Sequence, residues 1–340
     1  MLSYYINLKN QSCPDTAIIC TMSIEQDTPI PKVTYIQITE ENSDQRLDNF
    51  LITHLKGVPK SYIYRIVRKG EVRVNKGRAD VKYRLIIGDM IRIPPVRVAT
   101  KNEDSFVNPG LKEALQNNIL FEDESFLILN KPAGFAVHGG SGITSGIIEG
   151  LRLIRPEARF LELVHRLDRD TSGCLLIAKK RSALRLLHEL FRDDQVQKTY
   201  LALLSGRWAR QKLVVNAPLQ KNISIGGERM VVISQTGKAA ETLFRRLKLF
   251  QDSTLVQASP KTGRTHQIRV HAASLGHPIV GDDRYGLDDV NRNFKSRGNK
   301  RLFLHAETLQ FKHPITGISL AVSAPLPQPL ENLLKNEEQI

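Results

Sequence analysis

Val164-His165-Arg166-Leu167-Asp168-Arg169-Asp170-Thr171-Ser172-Gly173 packs two carboxylates, two arginines and a histidine directly ahead of the unbroken apolar run Cys174-Leu175-Leu176-Ile177-Ala178. An apolar run of that length without alternation reads as a strand buried on both faces. Ionisable groups are thus delivered to the mouth of a core strand. A carboxylate held there beside a fixed cation stays ionised and aimed, and can act as a nucleophile or base. The two carboxylates read differently. Asp170-Thr171-Ser172-Gly173 fits a turn in which the Asp170 carboxylate accepts from a backbone N–H two residues on and Gly173 supplies an unusual dihedral. That leaves Asp168, between Arg166 and Arg169, without a structural explanation. Charges alone leave it open between a catalytic group and a member of a structural ion pair.

Two later stretches carry groups of the same kind. Lys198-Thr199-Tyr200-Leu201-Ala202-Leu203-Leu204 starts another strand, and on its own Tyr200 reads as a core tyrosine. Pro260 to His271 runs into a helix marked by Ile268, Ala272 and Leu275 and stopped by Gly276 and Pro278. Arg264 lies just before that helix, where the plain reading is an exposed cap. Earlier, Gly134, Gly139, Gly140 and Gly142 surround Val137-His138 after the short strand Phe126 to Lys131. A glycine-rich loop there can cradle phosphate, but neither GxGxxG nor a P-loop is present, so the loop is substrate-facing or structural and His138 structural.

These groups need a frame, and the N-terminal part supplies a different one. Leu47, Phe50, Leu51 and Leu55 have helical spacing. After a turn at Gly57-Val58-Pro59, Ile63, Ile66 and Val67 form the apolar face of a second helix closed by Gly70. On it Arg65, Arg68 and Lys69 share a face. The alternating stretch Glu71 to Arg78 reads as a strand ending in a turn and carries Arg73, Lys76 and Arg78; two more strand-like pieces run to Pro94. Between Gln45 and Lys101 there are 14 Lys or Arg against 4 Asp or Glu, so much of the chain's net charge of +14 sits in this segment. A basic helix face beside a basic strand suits a clamp for phosphates, and a polyanionic partner fits the excess.

The 340 residues suffice for two domains. Residues 1–30 lack periodicity and read as a disordered extension, with Met22 an alternative start to Met1. Residues 45–101 form the basic module, 102–118 a linker rich in Pro, Gly and mixed charge, 119–327 the larger domain, and 328–340 a short tail. Cys13, Cys20 and Cys174 make neither a disulfide framework nor a zinc site and suit a reducing cytoplasm. No run approaches a membrane span, so no membrane association is expected.

The run HRLDRDTSG resembles the signature of the pseudouridine synthases that modify large-subunit ribosomal RNA and related RNAs. The resemblance implies that Asp168 is the nucleophile. It extends to KTYLA, resembling the KxYxA element, whose tyrosine stands in the active site and maps to Tyr200. It extends also to GRTHQIR, whose first arginine, Arg264, would pair with the catalytic carboxylate. Gly281 to Gly286 and Leu304-His305-Ala306 match further on, and Arg166 maps to the residue that fills the space left by a displaced base. LKGVPKSYIYRIVRKGEVRVNKG resembles the S4 type of RNA-binding domain. The implied architecture is α+β: a large mixed, mostly antiparallel sheet flanked by helices with a cleft across it, plus a small N-terminal α/β S4 domain. The implied substrate is 23S ribosomal RNA or its large-subunit precursor. Turning uridine into pseudouridine involves no net redox change, so no cofactor and no metal is expected. Asp168 could attack C1′, add to C6, or trigger elimination through C2′. A non-catalytic RNA-binding protein and a carboxylate-dependent hydrolase remain the competing classes; the joint presence of Asp168, Tyr200 and Arg264 speaks against the first, and the lack of a second carboxylate element or a His metal cluster against the second.

Overall fold

The computed structural model describes residues 32–55, 57–96, 109–139, 146–225 and 228–337. The expected extension at residues 1–30 therefore lies outside the described residues, as do Gly140 and Gly142. Two compact units emerge: the described residues of Met1–Ile38 and Gln45–Ala99 form one, those of Thr39–Asp44 and Thr100–Ile340 the other.

In the first unit, β1 (Thr34–Gln37), α1 (Leu47–His54), α2 (Lys60–Arg68), β2 (Arg73–Val74) and β3 (Met90–Ile93) build a helix pair and an antiparallel sheet in the order β1-β3-β2. The two helices follow the apolar spacing, and Leu47, Phe50, Leu51, Ile63, Ile66 and Val67 join one core. β1 lies ahead of the point where periodicity becomes legible, and one strand rather than two occupies the stretch before Pro94. Two buried aspartates replace apolar packing there. Asp48 accepts from Arg46 at 3.1 and 2.6 Å and from the Tyr64 hydroxyl at 3.1 Å. Asp89 accepts from Asn75 Nδ2, the Tyr83 hydroxyl and the Ile86 N–H. Buried carboxylates so saturated brace turns that a small core cannot hold alone.

The second unit opens with α3 (Pro109–Asn117), which corrects the expected linker over that part of its length; residues 102–108 of it lie outside the described residues. Its Leu111 and Leu115 enter a core with Leu127, Leu129 and Leu151, an apolar spacing masked in the sequence by the Pro-Gly start. Then come β4 (Ile119–Glu122), β5 (Phe126–Lys131), α4 (Ile147–Ile154), β6 (Glu162–Leu163), β7 (Ser172–Ala178), α5 (Arg181–Arg192), β8 (Gln197–Ser205) and β9 (Lys212–Asn216). They are followed by β10 (Leu219–Ile225), β11 (Glu228–Ile233), β12 (Glu241–Leu249), β13 (Ser253–Pro260), α6 (Gln267–Ser274), α7 (Asp288–Ser296), β14 (Leu304–Lys312), β15 (Ser319–Ser323) and α8 (Gln328–Asn336).

Among the described residues ten strands form one sheet along β4-β5-β7-β14-β8-β13-β12-β9, with β15 on β14 and β6 on β7; β10 and β11 pair separately. Every pairing in the large sheet is antiparallel except β7 with β14. The fold is the α+β arrangement that the resemblance implied, a large mixed, mostly antiparallel sheet flanked by helices.

All residues of β7 are buried, as its unbroken apolar run demands. Gly173 sits at the parallel junction with φ of 109°, and a Cβ there would stand 2.1 Å from the Ala306 carbonyl oxygen of β14. Glycine is required by both the dihedral and the approach. The residues just ahead of it are thereby pinned at the sheet's centre, at the end of β7 where Asp168 lies.

Candidate active site

Asp168 stands in the turn before β7, closed by the Thr171 N–H on the Asp168 carbonyl at 3.2 Å. Around that turn the backbone is tied from several sides. Lys131, wholly buried, donates from Nζ to the carbonyls of Pro132, Phe135 and Arg169 at 2.8–2.9 Å. Burial pushes the Lys131 ammonium down to about 7, with Asp170 the largest opposing influence and Asp168 a smaller one. Three carbonyl acceptors occupy all three N–H bonds of the charged form; a neutral amine could satisfy only two. Arg301 Nη2 donates to Ser172 Oγ at 2.9 Å and to the Asp170 carbonyl at 3.3 Å, and His305 Nδ1 meets the same hydroxyl at 2.9 Å. The Asp170 carboxylate faces Arg169 Nε at 3.2 Å rather than a backbone N–H, so it is an exposed ion pair and not the side-chain turn expected.

The cation that holds Asp168 is Arg269, with Nη1 3.5 Å from Oδ2. This corrects the pairing expected for Arg264, whose Nε donates to the Ala239 carbonyl at 3.0 Å. The reason is local geometry. His266, with φ of 53°, adopts the left-handed conformation and α6 begins only at Gln267. Gln267 Oε1 accepts from the Thr262 hydroxyl at 2.6 Å and the Arg264 N–H at 3.0 Å, while its Nε2 donates to the Glu241 carbonyl and Thr242. This clamp leaves Arg264 exposed at the rim, while the first turn of α6 carries Arg269 inward.

Arg269 is itself anchored. Its Nε and Nη2 meet Asp282 at 2.8 and 2.7 Å, a two-pronged pair whose carboxylate has no exposed surface. Burial raises the Asp282 carboxyl, but the Arg269 hydrogen bond and charge, joined by the Tyr285 and Arg284 N–H groups, outweigh it, and the net shift is downward. The guanidinium lies 5.2 Å from the Tyr285 ring centroid. The Tyr285 hydroxyl meets His266 Nδ1 at 2.8 Å, and His266 Nε2 is 3.9 Å from Asp168 Oδ2. Burial lowers the His266 pKa against the opposing pull of Asp168. Asp168 therefore faces a fixed guanidinium on one side and a largely neutral imidazole on the other. Arg269, His266, Asp282 and Tyr285 had no role in the sequence reading. The usable signal was a charged residue between Ile268 and Val270 on a helix whose flanks are apolar, which calls for a buried partner.

Tyr200 lies mid-sheet on β8, paired with Ala258 and Ala306, and packs against the cores on either side of it. Burial first, and the Asp168 charge second, push its phenol above the ordinary tyrosine value, so it remains protonated at neutral pH. Asp168, Tyr200, Arg166, Arg264 and Arg269 all line one cleft of about 820 Å³. That size suits a nucleotide rather than a whole helix of RNA. The floor carries an aimed carboxylate and an aromatic ring; the rim carries the exposed cations Arg166 and Arg264. The arrangement can stack a flat base, present a carboxylate to an electrophilic carbon, and hold phosphate at its edge.

In the first unit, Arg65 and Arg68 are exposed on α2 and Lys69 just past its last residue, with the Arg65 guanidinium 4.6 Å from the Tyr62 ring centroid. Lys76 is exposed at a turn with φ of 67°, and Arg78 packs against Gly70 just beyond α2. Arg73 is half-buried in β2. The helix end and the turn thus bring most of these cations together.

A family model described as RNA pseudouridylate synthase matches residues 125–274, and one described as S4 domain matches residues 45–91. The chain is 57% identical over 306 residues to a relative from Yersinia pestis, a match covering 89% of this chain and 95% of the other. The chain belongs to the RNA pseudouridylate synthase family and is an isomerase. That relative is ribosomal large subunit pseudouridine synthase C; the protein so named in Escherichia coli (strain K12) is 56% identical over 312 residues, covering 91% of this chain and 98% of its own. Among solved structures, human RNA Pseudouridylate Synthase Domain Containing 1 is 26% identical with a TM-score of 0.56, covering 69% of this chain and 92% of that one.

Proposed function

We propose that the protein converts specific uridines of 23S ribosomal RNA to pseudouridine, with Asp168 as nucleophile. The observation that carries this is the Asp168 carboxylate held 3.5 Å from Arg269 in the cleft that Tyr200 also lines. The names of the Yersinia pestis and Escherichia coli relatives support the large ribosomal subunit as the source of the substrate. A paired uridine leaves its stack to enter so narrow a cleft, and Arg166, exposed at the rim, takes the role of filling the space it vacates. Asp168 engages the nucleotide, the N1–C1′ bond breaks, the base turns, and C5 bonds to C1′. C5 then loses its proton and N1 gains one, so atoms balance without an oxidant. Arg269 keeps Asp168 ionised and aimed. Tyr200 stacks on the base, and its hydroxyl is a candidate for handling the C5 proton. Arg264 contacts phosphate at the rim. The basic face of α2 with Lys76 and Arg78 grips RNA backbone, and Arg73 on β2 adds a separate phosphate contact. Among the described residues no helix is long and apolar enough to cross a membrane. The place of action proposed is the cytoplasm, where ribosomal RNA and the enzyme meet.

The test is incubation with unmodified 23S ribosomal RNA and mapping of pseudouridine. Discrete new sites are expected, and none with Asp168→Asn, which preserves shape but not the nucleophile. Modification by Asp168→Asn at the unmutated rate would remove the assignment.

A further inference from the structure

We propose that the open face of the three-stranded sheet in the first unit is a platform for unpaired RNA bases, with Tyr35 stacking on a base and Arg92 and Arg73 holding the adjoining phosphates. The proposal rests on the RNA reading above and goes beyond the basic face of α2.

The pairing register makes the platform. Tyr35 on β1 lies opposite Arg92 on β3, and Arg92 lies opposite Arg73 on β2. Residues directly opposite each other share a face, so these three side chains form one row across all three strands, spanning about 10 Å. In the adjoining row Ile36 faces Ile91, and Ile91 faces Val74; that row points into the core. The Tyr35 row therefore points away from it. Tyr35 is 63% exposed, and it is the one aromatic among the exposed large apolar side chains of the described residues. Met90, opposite Gln37 on the same face, is 39% exposed. Arg92 is held in place, its Nη1 donating to the Glu71 carbonyl at 2.7 Å, which leaves further N–H groups to point elsewhere.

The occupant follows from this chemistry. The segment from Gln45 to Lys101 carries 14 cationic and 4 acidic residues, so a polyanion is favoured. An exposed aromatic ring in a row with two guanidiniums gains most from a flat base followed by phosphate. A duplex hides its base faces within its own stack, so only unpaired nucleotides can use the ring. The α2 face differs: its Arg65 already lies over the Tyr62 ring, and its cations meet phosphate whether or not the bases are paired. The two surfaces divide the work, α2 holding backbone and the sheet selecting single-stranded segments.

The experiment uses the full chain and measures its affinity for a single-stranded oligouridylate of about twelve nucleotides and for an RNA duplex of similar length, a length within the range one such surface spans. Tyr35→Ala is expected to weaken single-strand binding by roughly ten-fold or more, as loss of one base stack does, with duplex binding within about two-fold of the unmutated chain. Tyr35→Phe, which keeps the ring, is expected to bind both normally. Arg73→Ala is expected to lower the salt slope for the single strand by about 0.7, whereas Tyr35→Ala leaves it unchanged. Thermal melting checks that Tyr35→Ala is folded. Normal single-strand binding by folded Tyr35→Ala, or an equal loss in Tyr35→Phe, overturns the platform while leaving the RNA reading intact. Equal weakening of single strand and duplex by Tyr35→Ala overturns the selectivity. If the unmutated chain binds neither RNA, the platform fails, while the RNA reading stands or falls by the mapping of pseudouridine in 23S ribosomal RNA.

Discussion

Removing the Arg269 guanidinium without unfolding the chain should slow the reaction far more than removing Arg264. At the 3.5 Å separation from Asp168, the attraction is roughly 5 kcal/mol at an effective dielectric near 20 and about 1 kcal/mol in water. Asp168 is a quarter exposed, so a value of about 3 kcal/mol is reasonable, equivalent to roughly a hundred-fold in rate if the pair is needed in the transition state. A bare Arg269→Met would also strand the buried Asp282 carboxylate, at a cost of about 3–5 kcal/mol of stability. Joining it to Asp282→Asn avoids this, because the amide oxygen can still accept from the Arg284 and Tyr285 N–H groups, both at 3.0 Å. The assay is single-turnover release of tritium from C5-labelled uridine at saturating RNA, with Asp282→Asn alone as control. The double variant should be about a hundred-fold slower than that control. Arg269→Lys should fall between, since one ammonium cannot span both carboxylates. Arg264→Ala should raise KM and leave the saturating rate within about three-fold, as expected of a rim contact. A collapsed rate in Arg264→Ala with a near-normal Arg269→Met/Asp282→Asn enzyme would refute the assignment of the two arginines.

Tyr200→Phe keeps the ring but loses the hydroxyl, so RNA affinity should hold while turnover falls by about a hundred-fold; full turnover would reduce Tyr200 to packing. Replacing Arg65, Arg68 and Lys69 by Ala should weaken RNA binding and lower the salt slope by up to about 0.9 per lost duplex phosphate contact, with the saturating single-turnover rate unchanged. An unchanged slope would mean that this face is merely solvated. Stability should fall in mild acid. Burial, and then Lys198, holds the His165 imidazole down to about 4, and its Nε2 accepts the Leu176 N–H at 3.1 Å. Above pH 6.5 the ring is neutral folded and unfolded, but between about 6.5 and about 4 only the unfolded chain takes the proton, a loss of at most about 3 kcal/mol. His266, His271 and His305 are lowered too and act in the same direction. Denaturation midpoints should be flat from neutral pH to about 6.5 and fall below it, less steeply for His165→Gln; a midpoint that rises on acidification would contradict this sign.

Much of this protein was legible in one dimension. The buried strand β7 is written in its unbroken apolar run, and both helices of the first unit in their spacing, because burial of a strand or a helix face leaves a short-range signature. The turn that carries Asp168 was legible for the same reason, since it abuts that strand. Other features depended on contacts between distant segments. Strand β1 and helix α3 carry weak patterns and owe their order to partners elsewhere, Ile91 and Ile93 for the first and Leu127 and Leu129 for the second. The choice of Arg269 over Arg264 was only hinted at by the charge set between Ile268 and Val270, which does not name its partner. It was decided by the left-handed His266, the Gln267 clamp and a buried Asp282 that lies beyond α6 in sequence. The row of Tyr35, Arg92 and Arg73 likewise exists only through strand register. Sequence sets which residues are available and which faces are apolar; which charges meet is set by the long-range packing that removes them from water.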